Sequence, residues 1–158
     1  MIHVYTDGGC TGNPGPGGGA YIILRNEEGG VKNSVLLDEK SGAEKATTNN
    51  RMELKAVIAA LEALPQFMTE TEKVTVYTDS QYVQKGMSCW MEEWKKRGWK
   101  TSGKEPVKNQ DLWQRLDSLA AGFSIHWVWV KGHASNKYNE RCDKMTQEAI
   151  AEGEMTGV

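Results

Sequence analysis

The sequence lacks the features that would place the protein in a membrane or an oxidising compartment. No apolar run approaches the ~20 residues that a helix needs to span a bilayer, and no basic segment followed by an apolar stretch marks a signal peptide. The three cysteines are odd in number and have no CxxC spacing, which is typical of free thiols in a reducing compartment. We therefore expect a cytoplasmic protein with no membrane partner.

The sequence also lacks the overall basic charge of many nucleic-acid-binding proteins. The formal net charge is −2, but the charge is unevenly distributed. Residues 94–108 contain six basic side chains against the single acid Glu105, a net +5, so the remainder of the chain carries −7. A basic patch on an acidic body predicts a polyanionic partner bound along one side.

Hydrophobic patterns predict one domain over residues 1–158, with a disordered tail from about residue 152. Strands are expected at residues 2–7, 20–25, 31–37, 74–78 and 125–130. Helices are expected at about 50–64, within 80–97 and 109–121, and after 136. The segment 11–19 predicts a turn-rich connection, and 41–48 a polar loop. This order predicts an α/β (mixed α+β) fold, a five-stranded mixed sheet with helices packed on both faces.

Acidic residues follow the predicted strands at positions that favour ligand binding. The tripeptide Tyr-Thr-Asp closes two strands and puts Asp7 and Asp79 at their carboxyl ends, where open sheets bind ligands. Glu53 follows Asn50 by three residues, the spacing of a capping box, and Asp143 borders the apolar stripe of the last helix. Singly, each has an ordinary explanation as a turn former, helix cap or surface charge.

Taken together, the four carboxylates predict a metal centre. Like charges ~4 Å apart repel by roughly 4 kcal/mol near a protein surface, and a cluster of four is tolerable if cations occupy it. Hard oxygen ligands without a Cys–His set favour Mg²⁺, with Mn²⁺ as a substitute. Two such ions ~4 Å apart can drive in-line phosphoryl displacement, one activating water and the other stabilising the leaving oxyanion. His133, in the loop before the last helix, is the expected proton relay.

At these residues the chain resembles the bacterial type 1 ribonucleases H. The resemblance covers nearly the whole chain and rests on seven segments in the family's order: residues 5–8, 12–17, 47–54, 77–83, 94–101, 130–133 and 139–143. It implies sequence-independent, endonucleolytic hydrolysis of the RNA strand of an RNA–DNA hybrid, with two Mg²⁺ ions per active site when substrate is bound. The chain resembles the free-standing enzyme of this family, so we expect a monomer with no obligate protein partner.

The resemblance also implies roles for individual residues. The metal-binding catalytic carboxylates would be Asp7, Glu53, Asp79 and Asp143, and His133 would assist water activation or product release. Contacts to the RNA strand are implied for Gly8, Asn13, Asn49, Asn50 and Gln81. Contacts to the DNA strand are implied for Thr48, Asn109, Trp90 and Trp94. With the hybrid substrate that the resemblance implies, the basic run would hold the phosphates of the DNA strand through Lys95, Lys96 and Arg97, with Trp94 and Trp99 flanking them.

Two departures from the family pattern and two rival functions stay open. Gly9 stands where serine is usual, and the stretch 37–46 is slightly longer than in the common bacterial form. A transposase, integrase or resolvase would use the same carboxylates on DNA, although the chain length and the Asn49, Asn50 and Gln81 set argue against it. A non-catalytic binding module would have lost at least one acidic ligand, and all four are present.

Overall fold

One five-stranded sheet organises the computed structural model, which describes residues 1–26, 34–69, 71–131 and 136–156, with side chains as far as residue 153. The strands are β1 (Ile2–Cys10), β2 (Gly15–Asn26), β3 (Ser34–Thr47), β4 (Lys73–Thr78) and β5 (Ser124–Trp129). Their order across the sheet is β3-β2-β1-β4-β5. β2 pairs antiparallel with both β1 and β3, and β4 and β5 run parallel to β1. The predicted mixed sheet is confirmed.

Helices cover both faces of this sheet, also as predicted. They are α1 (Asn49–Ala63), α2 (Gln81–Lys85), α3 (Met91–Lys96), α4 (Gln110–Ala120) and α5 (Lys137–Thr156). A π turn joins α2 to α3, and a short 3₁₀ turn follows α1. The larger core lies between α1 and the sheet, and a smaller one lies under α5 on the other face. The last helix continues past residue 152, where the sequence predicts a disordered tail. No helix within the described ranges is long and apolar enough to cross a membrane.

The beginning of α1 differs from the prediction in a way that matters for Glu53. The helix starts at Asn49, and the N-cap is Thr48, whose hydroxyl accepts a hydrogen bond from the Arg51 N–H at 3.2 Å. Glu53 therefore lies in the second turn, so the capping-box interpretation is wrong. Its side chain is free to point along the sheet toward the end of β1.

Two segments predicted as loops are strands. β2 begins at Gly15 and pairs with β1 through Gly17, Gly18 and Gly19, so the turn predicted over 11–19 already ends at residue 14. These glycines serve close packing: a Cβ at Gly18 would lie 2.9 Å from Ile150 Cγ1 of α5. The polar stretch 41–48 is mostly the second half of β3, which is polar because β3 is an edge strand with much of its surface in solvent.

Candidate active site

Three carboxylates converge at the carboxyl ends of the adjacent strands β1 and β4. Asp7 lies in β1, Asp79 directly follows β4, and Glu53 reaches them from α1. One oxygen of each carboxylate lies within 4.8 Å of an oxygen of the other two. Asp7 and Glu53 are each only 4% exposed. Three of the four carboxylates predicted to share a metal site are therefore brought together in a largely buried cluster.

A close approach of α1 to β1 positions Glu53. The Gly8 backbone N–H donates a hydrogen bond to Glu53 Oε1 at 3.1 Å. A Cβ at position 8 would lie 2.5 Å from the Glu53 backbone nitrogen, so only glycine lets the helix come this near. The same glycine that was predicted to contact RNA thus also orients a carboxylate.

Backbone and indole hydrogen bonds hold Asp79. Its carbonyl accepts a hydrogen bond from Trp129 Nε1 at 3.0 Å, which ties it to the end of β5. On its other side, the Ser80 N–H donates to Thr78 Oγ1 at 3.1 Å, and Ser80 caps α2 by accepting from the Val83 N–H. The chain is therefore constrained on both sides of Asp79 where it leaves the sheet.

Burial, together with the charges of neighbouring carboxylates, raises the pKa values of all three acids. Burial, followed by the charge of Asp79, raises the pKa of Asp7 from 3.8 to about 7. Burial, with the charges of Asp79 and Asp7, raises the pKa of Glu53 well above its ordinary value. Burial is also the main cause of the raised pKa of Asp79. Perturbed carboxyls in a cleft are typical of functional sites.

The cluster fits a divalent cation. Glu53 Oε2 and Asp79 Oδ1 are buried and have no hydrogen-bond partner among the described residues. Buried carboxylate oxygens without donors are costly unless a cation compensates them. All the available ligand atoms are hard oxygens, which suit Mg²⁺ better than Zn²⁺.

Asp143 lies at the rim of the site. It is on an exposed face of α5 and outside the group of three whose oxygens lie within 4.8 Å. It nevertheless lines the same cleft, of about 480 Å³, and its charge helps raise the pKa values of Asp7 and Asp79. The fourth predicted carboxylate therefore faces the other three across an open edge.

Most residues predicted to contact RNA surround this cleft. Its lining includes Gly8, Asn49, Asn50 and Gln81. Asn13 is adjacent, and its side-chain oxygen accepts a hydrogen bond from the Asn49 N–H at 3.2 Å. The sequence reasoning missed Gln147, which also lines the cleft. Its spacing of four residues from Asp143 on one helix was the available signal.

Arg51 links the two residues predicted to grip a DNA phosphate. Its backbone N–H bonds Thr48, and its guanidinium donates to Asn109 Oδ1 at 3.3 Å. Arg51 also forms an ion pair with Asp111 at 2.9 Å. Asn109 adopts a left-handed conformation just before α4, and its amide donates to the Tyr82 hydroxyl at 3.1 Å. Local sequence does not single out Arg51, because the partners of its guanidinium, Asn109 and Asp111, lie 58 and 60 residues away.

The tryptophans predicted along the DNA channel form one half-buried aromatic cluster. Ring centroids are separated by 5.8 Å for Trp90 and Trp94, and by 6.4 Å for Trp94 and Trp99. Trp94 also packs on the fully buried Trp113 at 5.2 Å. These side chains contribute to the core and present their remaining surface beside the basic run.

The basic run is exposed and partly paired. Lys95 forms a 2.7 Å ion pair with Asp117 of α4, and Arg97 forms a 3.6 Å pair with Glu93. Lys96 is exposed and has no ion-pair partner within the described part of the chain. His133, the predicted proton relay, lies outside the described residues.

The fold and the site together define the class of protein. A mixed sheet in the order β3-β2-β1-β4-β5, with acids at the ends of β1 and β4 and on α1 and α5, is the ribonuclease H-like architecture. The model of the RNase H family matches residues 1–151, and the chain belongs to that family.

Relatives and solved structures agree with this assignment. A ribonuclease H of Treponema denticola is 49% identical, covering 94% of this chain and 96% of the relative. One of Dinoroseobacter shibae is 51% identical, covering 95% and 91%. LC9-RNase H1, described as a type 1 RNase H with the type 2 active-site motif, superimposes with a TM-score of 0.83 at 36% identity, covering 96% of this chain and 72% of its own. LC11-RNase H1, solved in complex with an RNA/DNA hybrid, has a TM-score of 0.72 at 29% identity, covering 97% and 99%.

Proposed function

We propose that this chain is an endonuclease that hydrolyses the RNA strand of RNA–DNA hybrids without sequence preference. The observation that carries the proposal is the buried cluster of Asp7, Glu53 and Asp79, in which two carboxylate oxygens have no donor among the residues that the structure describes. Family membership gives the reaction class, and the LC11-RNase H1 complex supports a hybrid as the substrate.

The acidic residues would hold two Mg²⁺ ions when substrate is present. Asp7, Glu53 and Asp79 supply the inner ligands and Asp143 closes the site from the rim. Bound Mg²⁺ would supply both water activation and stabilisation of the leaving oxyanion, and Mn²⁺ would substitute because it accepts the same oxygen ligands. Gly8 and Trp129 keep Glu53 and Asp79 in place during the reaction. His133 would carry protons between the site and solvent.

Discrimination between the strands would come from the two sides of the cleft. The amides of Asn49, Asn50 and Gln81 lie beside the carboxylates, where they can hydrogen-bond base edges and a ribose 2′-hydroxyl. Asn13 and Gly8 would complete this contact, so that the cut falls next to ribose. Because base edges in the minor groove differ little between base pairs and the other contacts are to ribose and backbone, recognition would not depend on base sequence.

The DNA strand would lie across the start of α1 and along the aromatic cluster. Thr48 and Asn109 would grip one phosphate, held in register by Arg51. Beyond them, the strand would follow the surface formed by Trp90, Trp94 and Trp99. Lys95, Lys96 and Arg97 would bind its phosphates, so affinity should fall as salt rises.

The direct test is cleavage of an end-labelled RNA–DNA hybrid, with single-stranded RNA, double-stranded RNA and double-stranded DNA as controls. We expect internal cuts in the RNA strand of the hybrid only, dependent on Mg²⁺ and abolished by EDTA. Asp7→Asn should remove activity, whereas Glu148→Gln, an exposed acid on α5, should keep it. Cleavage of the DNA duplex would favour the transposase-like alternative, and hybrid binding without cleavage would favour a binding module.

We also propose that the chain acts as a single-domain cytoplasmic monomer without an obligate protein partner. The ordinary net charge and the free cysteines Cys10, Cys89 and Cys142 support this assignment. Light scattering coupled to size exclusion should give a mass near 17.6 kDa. A dimer mass at micromolar concentration would contradict it.

A further inference from the structure

Arg51 joins the beginnings of α1 and α4, and this contact uses only part of its guanidinium. Arg51 lies in the first turn of α1, and its side chain is 30% exposed. Nη1 and Nη2 donate to the two carboxylate oxygens of Asp111, at 3.1 and 2.9 Å. Nη1 also donates to Asn109 Oδ1 at 3.3 Å. Two residues at the start of α4 therefore hold the guanidinium from one end.

The remaining donors of Arg51 form a two-pronged edge. A guanidinium has five N–H groups in fixed directions. The bonds to Asp111 and Asn109 use those of Nη1 and one of the two on Nη2. The Nε–H and the second Nη2–H are left on a single edge, and neither donates to a residue that the structure describes. Two parallel N–H groups are the fork with which arginine binds two oxygens of a phosphate.

The free groups beside Arg51 are also donors. The Thr48 hydroxyl accepts from the Arg51 backbone N–H at 3.2 Å, and its own proton has no acceptor within the described part of the chain. Asn109 gives one amide N–H to the Tyr82 hydroxyl, at 3.1 Å, which leaves the other for a ligand. The acid of this group, Asp111, has both oxygens engaged by Arg51. These surroundings favour an anion as the ligand.

The position of Arg51 on α1 assigns this anion to the DNA strand. Residues two apart point to different sides of a helix, and Glu53 points to β1 and the other carboxylates. Arg51 faces α4 instead and is not part of the lining of the acidic cleft. A helix with its side chains is about 10–12 Å across, so it separates Arg51 from the carboxylates. Because the RNA strand occupies the carboxylates, the phosphate at Arg51 belongs to its partner strand.

We propose that the Nε–Nη2 edge of Arg51 binds a phosphate of the DNA strand through two hydrogen bonds, and that Asp111 and Asn109 hold the guanidinium so that this edge stays open. The inference rests on the proposed function, because it takes an RNA–DNA hybrid as the substrate. It makes Arg51 a direct ligand of the phosphate that Thr48 and Asn109 contact. Asp111 is then a positioning residue that acts through Arg51.

Arg51→Lys is the main test, because lysine keeps the positive charge but has no planar fork. Hybrid affinity is measured by fluorescence anisotropy in EDTA, which prevents cleavage, and kcat and KM are measured with Mg²⁺. The dissociation constant and KM should both rise about tenfold, the loss typical of hydrogen bonds between charged groups. The kcat should stay within about twofold of the wild-type value, because the carboxylates are untouched. Wild-type affinity would overturn the proposal.

Arg115→Lys is the matched control. Arg115 of α4 pairs with Glu62 of α1 at 3.1 Å, so it joins the same two helices, but at the opposite end of α1 from Thr48. Both substitutions disturb one partly exposed ion pair, so urea unfolding should change little in either variant. Arg115→Lys should keep the wild-type affinity for the hybrid. Equal losses in the two variants would assign the effect to the packing of α1 on α4 and overturn the proposal.

A neutral linkage in the DNA strand shows whether Arg51 touches a phosphate. Single methylphosphonates, in which a methyl group replaces one charged oxygen, are scanned along the DNA strand opposite a short central block of RNA that fixes the register. At one linkage the wild type should lose about tenfold in KM. Arg51→Lys should lose less than about twofold further there, because both changes remove the same contact. Losses that multiply at every linkage would overturn the proposal.

Asp111→Ala tests the positioning role. Without the carboxylate the guanidinium is free to rotate, and ordering it again on binding should raise KM about threefold or more. Simple repulsion between Asp111 and the substrate predicts the opposite change, because the substitution removes a negative charge. An unchanged or lower KM would therefore overturn the role of Asp111.

A measurement on the unaltered chain covers the case in which a variant does not fold. The Arg51 Nε–H signal in heteronuclear NMR should shift and exchange more slowly when the hybrid is added in EDTA, because a phosphate oxygen then accepts from it. A signal that is unchanged in the complex would overturn this inference alone. A wild type that neither binds nor cleaves the hybrid would overturn the proposed function with it.

Discussion

Replacing Asp7 with asparagine should stabilise the metal-free protein even though it abolishes catalysis. Asp7 is 4% exposed, and burial with the charge of Asp79 raises its pKa from 3.8 to about 7. The same side chain ionises near 3.9 in an unfolded chain. Above pH 7 the folded protein therefore buries a charge that the unfolded chain exposes to water. Asparagine has nearly the same shape and avoids this cost.

The magnitude follows from the two pKa values. The difference between 3.8 and about 7 corresponds to about 4 kcal/mol at pH 8. Because Asp79 and Glu53 remain in the variant, we expect a gain of about 2–4 kcal/mol, or a rise in Tm of about 5–15 °C. A raised folded-state pKa gives stability that is present below the unfolded pKa and lost as pH rises through the folded one. The advantage of Asp7→Asn should thus be largest at pH 8 and small near pH 4.

Urea unfolding in EDTA at pH 8, 6 and 4.5 measures this gain. Glu148→Gln is the control. Glu148 is exposed and its ion pair with Lys144 is long, at 4.0 Å, so the substitution should change the unfolding free energy by less than about 0.5 kcal/mol. Saturating Mg²⁺ should stabilise the wild type and affect Asp7→Asn far less, because binding to the folded state alone adds stability. A variant that is no more stable than the wild type at pH 8, or a gain that is independent of pH, would refute the electrostatic reasoning.

Three further changes test the substrate surface and the packing of the site. Replacing Lys95, Lys96 and Arg97 with alanine should raise KM for the hybrid about fivefold or more and flatten its salt dependence, and an unchanged KM would remove the basic run from substrate binding. Gly8→Ala should cost about 2 kcal/mol or more in urea unfolding and reduce kcat, because the added Cβ would meet the α1 backbone; retention of both would contradict the close approach. His133→Ala should lower kcat by about 10²-fold without abolishing turnover, and a wild-type kcat would make the histidine incidental.

The central layout of the site could be predicted because it depends on local rules. A strand ending in Tyr-Thr-Asp is visible in sequence, and parallel neighbours bring the ends of two such strands together. Asp7 and Asp79 were therefore found by pattern alone. The capping-box placement of Glu53 is wrong, since Glu53 lies beyond the capping turn and its position depends on how closely α1 approaches Gly8.

The parts that escaped prediction depend on contacts between distant segments. Glycines over residues 15–19 predict turns when considered locally, yet Gly18 lets α5 lie against β2, and Gly17 and Gly19 leave room for Met52 of α1. The edge strand β3 resembles a loop in composition because much of it faces solvent. Arg51 becomes informative only beside its side-chain partners Asn109 and Asp111, which lie 58 and 60 residues away in the sequence.

The position of the α1 cap has a consequence for which duplexes the protein would bind. Thr48 and Glu53 lie five residues apart on one continuous helix, so the proposed DNA-phosphate grip and the acidic cluster are carried on a single rigid rod. Because the helix does not change length, the distance between the bound DNA phosphate and the scissile phosphate of the RNA strand would be constant. The protein would therefore select duplexes by groove width, because a duplex whose two backbones are spaced differently cannot contact the phosphate grip and the acidic cluster at once.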